Sequence, residues 1–437
     1  MNSYIDLGKY LAFAIPLALT NIVSSAQNLF NIFLAKTVNA DAVAAMVYVN
    51  RVYFVYGCFL VSINAAISMR MNRLERGERD SLLLKETVKC SFVLVIPCAV
   101  ICFVVFYLFA PTLAMQAGGG AVVRDFERYL KLMAMAYVTI TLLNPFYSYL
   151  ISRKQSAAIF KGLFFSVMAG VGTSLALLNW FTTSLWPIAA GSVVTQVIYS
   201  VHLMLTSYYV WPSSTIRASF DDRVVLLKGI FSDSANNYVG MIVGCLADYL
   251  VFAIFINDPP LALFLAIFVT VSLAGQSVCL GFASAAAVEV GRSLKGRRLE
   301  TQGIARSYMV IALVLGIVFS VLSVFYVRAL VDSATAVSVS LLCGLIVLFS
   351  TTSTFINRAV VRAFGETRFI RNTAVVFSVF IRIPFSLMVC FMVEPSSGRI
   401  IGLFSGYAAI SFLGCLVNVL KASSLIGPKQ AVFNNFR

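Results

Sequence analysis

Charge is what this chain has least of: 18 of its 437 residues are acidic, one is histidine, and charged residues of both signs total 12%. One histidine cannot build an imidazole-based metal cluster. The nine cysteines, among them Cys58, Cys90, Cys98, Cys102, Cys245 and Cys279, stand singly in apolar stretches with no Cys-x-x-Cys pair. They read as small buried hydrophobes. No phosphate-binding loop, dinucleotide fingerprint or metalloprotease motif occurs, and no stretch is polar enough for a soluble nucleotide-binding domain. An enzyme, a resident cofactor or metal, and an ATP-driven pump are therefore all excluded.

What the chain has is apolar length. Hydrophobic residues make up 60% and mean hydropathy is +0.91, more apolar surface than a soluble domain can hide. A span needs about 20 apolar residues to cross about 30 Å of hydrocarbon. Twelve such stretches occur, at about 10–35, 42–69, 88–110, 126–151, 157–180, 185–210, 228–256, 260–289, 304–331, 336–361, 372–393 and 399–421. An all-α integral membrane protein follows. Met1 to Lys9 reads as the lead-in to span one and not as a cleaved signal.

Basic residues fill every second gap. Arg70, Arg73, Arg76, Arg79 and Lys85 follow span two, Arg153 and Lys154 span four, and Arg217 and Arg223 span six. Arg292, Lys295, Arg297 and Arg298 follow span eight, and Arg362, Arg368 and Arg371 span ten. Positive-inside bias makes these gaps cytoplasmic, and an even number of spans places both termini there too. The net charge of +15 is dispersed over these loops, so anionic lipid accounts for it and a nucleic-acid partner is rejected.

The polar stretch 212–227 at mid-chain separates a bundle at 1–211 from a second bundle, with a short cytoplasmic tail, at 228–437. The halves echo one another. SRKQSAAIFKG after span four has a partner in RAFGETRFIRN after span ten, and the basic loop RLERGERD has one in GRSLKGRRLE. A duplicated six-span unit would produce such an offset. Proline inside a span favours bending; Pro16 and Pro384 are the hinge candidates, with Pro97 and Pro145 also within apolar helix.

Ionisable groups inside hydrocarbon are costly and mark function by default. Asp248, deep in span seven, is the sharpest: it could take a proton, a sodium ion or a cationic substrate, or it is only a carboxylate solvated by a cleft. Asp233, near the cytoplasmic start of the same span, is a second coupling candidate or a helix cap. Asn237 and Tyr238 continue that span's polar face. In span one Thr20, Ser24, Gln27 and Asn31 share a face with Asn28 beside it; they bind substrate from a cleft or bond neighbouring helices. Arg51 in span two snorkels or holds a ligand. Arg382 is a second mid-span arginine, while Glu289 and Arg292 form a cytoplasmic-rim pair, a gate or an ordinary surface contact.

Three segments, IPLALTNIVSSAQNLFNIFLAKTVNADAVAAM, GFASAAAVEVGRSLKG and RAVVRAFGETRF with IRIPFSLM, resemble the multidrug and toxic compound extrusion (MATE) family, within the wider group of polysaccharide and lipid-precursor exporters. The resemblance implies twelve helices in two pseudo-symmetric six-helix bundles forming a V-shaped cleft. It implies a monomer in a bacterial plasma (inner) membrane that exports small amphipathic organic molecules, chiefly cations, against inward protons or sodium ions. The alternative within that group is a lipid-precursor flippase or dedicated metabolite exporter. The chain departs from the pattern at the acid many members carry in span one: Phe30 falls near that place, and around Thr351 span ten has no acid.

Overall fold

A computed structural model describes residues 7–38, 57–72, 78–117, 122–211, 219–255, 261, 265, 279–294, 298–330, 336–394 and 397–426. Among the described residues the regular structure is helical throughout. This is the form lipid permits, because a helix satisfies its own backbone donors and acceptors. The chain-order elements are α1 (Leu7–Val38), α2 (57–72), α3 (Glu78–Phe103), α4 (Ala110–Ala117), α5 (Val122–Ser152), α6 (Ser156–Leu178) and α7 (Trp186–Tyr209). Then come α8 (Phe220–Ile254), α9 (279–293), α10 (Arg298–Leu330), α11 (Ala336–Ile356), α12 (Thr367–Val375), α13 (Ile383–Met392) and α14 (Ser397–Ile426).

Among the described residues eight helical segments are long and apolar enough to cross a membrane, in α3, α5, α6, α7, α10, α11, α12–α13 and α14. Twelve spans were expected. Helices α1 and α8, of 32 and 35 residues, occupy expected spans one and seven, and expected spans two and eight lie partly outside the described residues. The chain is a multi-pass all-α membrane protein.

Two compact units divide it, Ile15–Ala235 and Asn236–Arg437 with Met1–Ala14. In the first, α6 carries Gly162, Ser166, Gly170 and Ser174 at four-residue spacing, all buried. This stripe of small residues lets α7 approach closely, the means by which helices pack where lipid supplies no hydrophobic drive. A Cβ on Gly170 would meet Thr195 Oγ1 at 1.9 Å and the Gly191 carbonyl oxygen at 2.4 Å, and one on Gly191 would meet Ser174 Oγ at 2.0 Å. A larger-residue core lies alongside, built by Phe106, Phe126, Tyr129, Leu130, Tyr137 and Ile188.

The second unit repeats the device with other residues. A Cβ on Gly316 of α10 would meet Thr352 Oγ1 of α11 at 2.5 Å, and one on Gly406 of α14 would meet the Phe385 ring of α13 at 1.9 Å. Its core clusters centre on Phe255, Leu403, Phe404 and Tyr407, and on Tyr308, Phe355, Ile356 and Val360.

The paired loops noticed in the sequence turn in the same way. Lys154 and Gly365 both have positive φ, 60° and 83°. In each, the left-handed residue donates its N–H three residues back, to Ile151 and Arg362. The next N–H reaches five back, from Gln155 to Leu150 at 3.0 Å and from Glu366 to Val361 at 3.2 Å. This closes the last helical turn on carbonyls that would otherwise be orphaned.

Among the described residues there are three widened π turns: Val104–Leu108 and Asn357–Val361 close the spans begun by α3 and α11, and Val376–Arg382 interrupts the α12–α13 span. The last runs directly into Ile383–Pro384. Proline has no N–H and its ring crowds the carbonyl four residues back, so the turn before it opens. Pro16 and Pro145, by contrast, sit inside unbroken α-helix.

Candidate functional site

In the second unit one charged cluster lies at mid-span. Asp248 of α8 and Arg382, the last residue of the third π turn, form an ion pair through Oδ1 and Nη1. The guanidinium carbon sits 4.7 Å from the centre of the Tyr407 ring, over its face. Such stacking suits a weakly hydrated planar cation. Ser386 Oγ gives its single proton to the Arg382 carbonyl at 2.7 Å. Tyr407 is therefore the donor in its 2.7 Å bond to Ser386 Oγ.

The cluster is not closed. Asp248 keeps 43% of its side chain exposed against 19% for Arg382, and Arg382 Nε is buried with no hydrogen-bond partner. A carboxylate this open at mid-span is tolerable where water reaches it and not where lipid does. The sequence marked Asp248 and Arg382 separately. Their pairing across 134 positions had no sequence signal, since neither hydropathy nor periodicity reports which spans touch.

The polar row of span one divides. Thr20 is buried and bonds back to the Pro16 carbonyl at 2.8 Å. Gln27 Nε2 donates to Thr195 Oγ1 at 3.0 Å and Asn31 Nδ2 to Ser192 Oγ at 3.2 Å, both buried. Those two amides join α1 to α7, which is the helix-bonding alternative of the sequence reading. Ser24 and Asn28 are exposed. A polar group the sequence reading passed over lies in the same unit: Asn64 Nδ2 donates to Asn144 Oδ1 at 2.8 Å, and Ser148 Oγ to Asn64 Oδ1 at 2.7 Å.

The remaining candidates are scattered. Asp233 pairs with Arg70 at 2.9 Å, and no cap of α8 is involved, because the helix begins at Phe220, more than three turns earlier. Asn236 accepts from Arg371 Nη1 at 2.9 Å. Asn237 is 1% exposed, with neither polar atom of its side chain hydrogen-bonded, and Tyr238 is half-buried. On α9 Glu289 is buried and Arg292 half-buried. Arg51 lies outside the described residues. Among the described residues no group of three or more His, Cys, Asp or Glu side chains could hold a metal ion.

Residues 16–178 match the family model described as MatE. Over that stretch, a little more than a third of the chain, the sequence is similar to the MatE family. Among curated proteins none matches it. Solved structures extend the MatE likeness over the whole fold. A transporter of the MOP superfamily from Pyrococcus furiosus Vc1, whose pocket is described as reversed in polarity, is 14% identical with a TM-score of 0.73, and 96% of each chain is covered. The eukaryotic MATE transporter AtDTX14 is 15% identical with a TM-score of 0.76, covering 96% of this chain and 99% of its own. A mutant of the Vibrio cholerae MATE transporter VcmN is 13% identical with a TM-score of 0.78, again over 96% of each chain. At these identities the MatE structures establish the fold and leave the pocket to be read from this chain's own residues.

Proposed function

We infer that this protein is a secondary active exporter of the MatE type, moving small amphipathic organic molecules by alternating access, and not an enzyme. The observation that carries the reading is the family match over residues 16–178 on a chain of long apolar helices. The full arrangement is twelve spans in two six-helix bundles around a V-shaped cleft. The chain works as a monomer in a bacterial plasma membrane with both termini cytoplasmic, a topology supported by the alternation of arginine-rich gaps. Export is driven by inward protons or sodium ions, since one charge crossing 100 mV supplies about 2.3 kcal/mol.

Asp248 is the coupling residue of this proposal. In the paired state Arg382 occupies its carboxylate. A proton, a sodium ion or the cationic group of a substrate competes for the same oxygens, so occupancy by one expels the others. Ser24 and Asn28, the exposed members of the α1 row, and Tyr238 supply further substrate contacts. Asp233 is the second coupling candidate, and Glu289 and Arg292 form a gate or loop anchor at the cytoplasmic rim. The mid-span guanidinium is the observation that favours the second reading, export of a lipid-linked precursor or dedicated metabolite, because such cargo carries negative charge.

The test is efflux from liposomes holding purified protein, with pH and sodium gradients imposed separately, for the wild type and Asp248→Asn. Gradient-driven movement of an organic cation, lost in the variant, is the expected result. Transport unchanged in the variant would remove Asp248 from the mechanism.

A further inference from the structure

Asp248 and Arg382 satisfy one another less well than a structural pair should. A pair that serves only to join two helices in low dielectric is stable when it is bidentate and when every remaining donor is used. Here one guanidinium nitrogen meets one carboxylate oxygen. Nε is buried without a partner, and the carboxylate is 43% exposed. Beneath the guanidinium, the Tyr407 ring, itself bonded to Ser386, gives the cation a second contact besides Asp248. The positive half of the pair thus has a further contact, and the negative half is open.

Charge accounting then selects a ligand. A simple cation that takes Asp248 leaves Arg382, four-fifths covered, without a counterion. A simple anion that takes Arg382 leaves Asp248 in the same condition. Either loss offsets part of what the new contact contributes. A molecule carrying both signs on adjacent groups replaces both partners together. We propose that the Asp248–Arg382 pair is the receptor for a zwitterion, whose ammonium binds the Asp248 carboxylate while its carboxylate or phosphate takes the Arg382 guanidinium. With no ligand the two protein charges pair with each other, so the empty site carries no orphaned charge. The proposal rests on the reading of this chain as a small-molecule exporter and names the class of molecule.

Binding measured by calorimetry on the full chain in lipid nanodiscs tests it with three probes sharing one apolar body: 2-amino-4-phenylbutanoic acid (both charges), 3-phenylpropylamine (ammonium only) and 4-phenylbutanoate (carboxylate only). The amino acid is expected to bind at least about tenfold tighter than either single-charge probe, which is about 1.4 kcal/mol. Arg382→Gln should erase its advantage over the amine, and Asp248→Asn its advantage over the acid. Equal affinity of amino acid and amine in the wild type, or an undiminished advantage in Arg382→Gln, overturns the proposal. If either single variant fails to fold, the exchanged double variant Asp248→Arg with Arg382→Asp carries the test. It keeps the pair and should keep the preference, whereas a structural pair predicts none.

Nanodiscs of phosphatidylethanolamine and of phosphatidylglycerol separate the two sources of a zwitterion. Loss of amino-acid binding only in the former identifies a lipid headgroup as occupant, and equal binding in both identifies a soluble molecule. Cation efflux measured on the same preparations separates this inference from the one beneath it. Efflux with no zwitterion advantage sinks the receptor and leaves the exporter; a zwitterion advantage without efflux does the reverse.

Discussion

Two glycines two residues apart on α6 should respond to the same substitution with opposite signs. Gly170 faces α7, where an added Cβ would lie 2.4 Å from the Gly191 carbonyl oxygen. That atom belongs to the backbone and cannot swing away as a side chain can. Ordinary contact lies near 3.5 Å, so the helices must part by about 1 Å, which forfeits roughly a quarter to a half of the attraction across each local contact. Overpacking of this kind costs about 3 kcal/mol at its upper range. The gain in helix propensity from glycine to alanine returns up to about 1 kcal/mol, so Gly170→Ala should destabilise by roughly 2 kcal/mol. Gly172 has nothing within 4 Å of its Cβ position. Gly172→Ala therefore keeps the propensity gain alone and should stabilise by up to about 1 kcal/mol. Thermal unfolding in mixed micelles, read by tryptophan fluorescence, reports on the right region, because Trp180 lies in the loop joining α6 to α7 and Trp186 is the first residue of α7. Shifts of the same sign for both variants would refute the close-packed seam.

Three further outcomes follow from particular contacts. Gln27→Leu removes the amide donor from the Thr195 hydroxyl, which keeps its own bond to the Gly191 carbonyl at 3.1 Å, and should cost about 1 kcal/mol, while Gln27→Leu with Thr195→Val should show that coupling in a double-mutant cycle. Lys154→Gly relieves a left-handed backbone at φ 60° and should raise stability by about 1 kcal/mol, whereas Gly365→Ala, at the matching turn, should lower it by a similar amount. Arg362, just past the α11 span, has its guanidinium pushed down to about 9, by burial first and by the charge of Arg358 second. Its folded-state value lies below the unfolded one, so the folded state holds fewer protons between the two and stability should rise with pH from about 9 upward. Arg362→Leu should abolish that rise when unfolding is followed from pH 8 to pH 10.5.

Hydropathy made the helical class and the membrane legible, because lipid imposes a minimum apolar length that composition alone reveals. The paired loops were legible as well: SRKQS and RAFGE differ in letters, yet Lys154 and Gly365 turn the chain with the same hydrogen bonds. Asp248 was found as an anomaly, a carboxylate in an apolar run. Its partner was not. The sequence reading had it facing a cation or a proton, and its described partner is Arg382. The row on α1 was visible as a face with 3.6-residue period, but period locates a face and not what meets it. Gln27 and Asn31 turned out to be held by Thr195 and Ser192.

Local chemistry is therefore the part this sequence determines by itself: where the apolar stretches run, which gaps carry arginine and where a charge enters hydrocarbon. These depend on a residue and its near neighbours, whose interactions with lipid and with the next helical turn are settled within about 20 residues. Only the tertiary structure decided which distant charges meet. Asp248, Arg382, Ser386 and Tyr407 come from α8, the third π turn, α13 and α14, and their contact depends on how those helices pack. Packing in turn is set by small residues such as Gly406 under Phe385, which carry no charge and no hydropathy signal of their own.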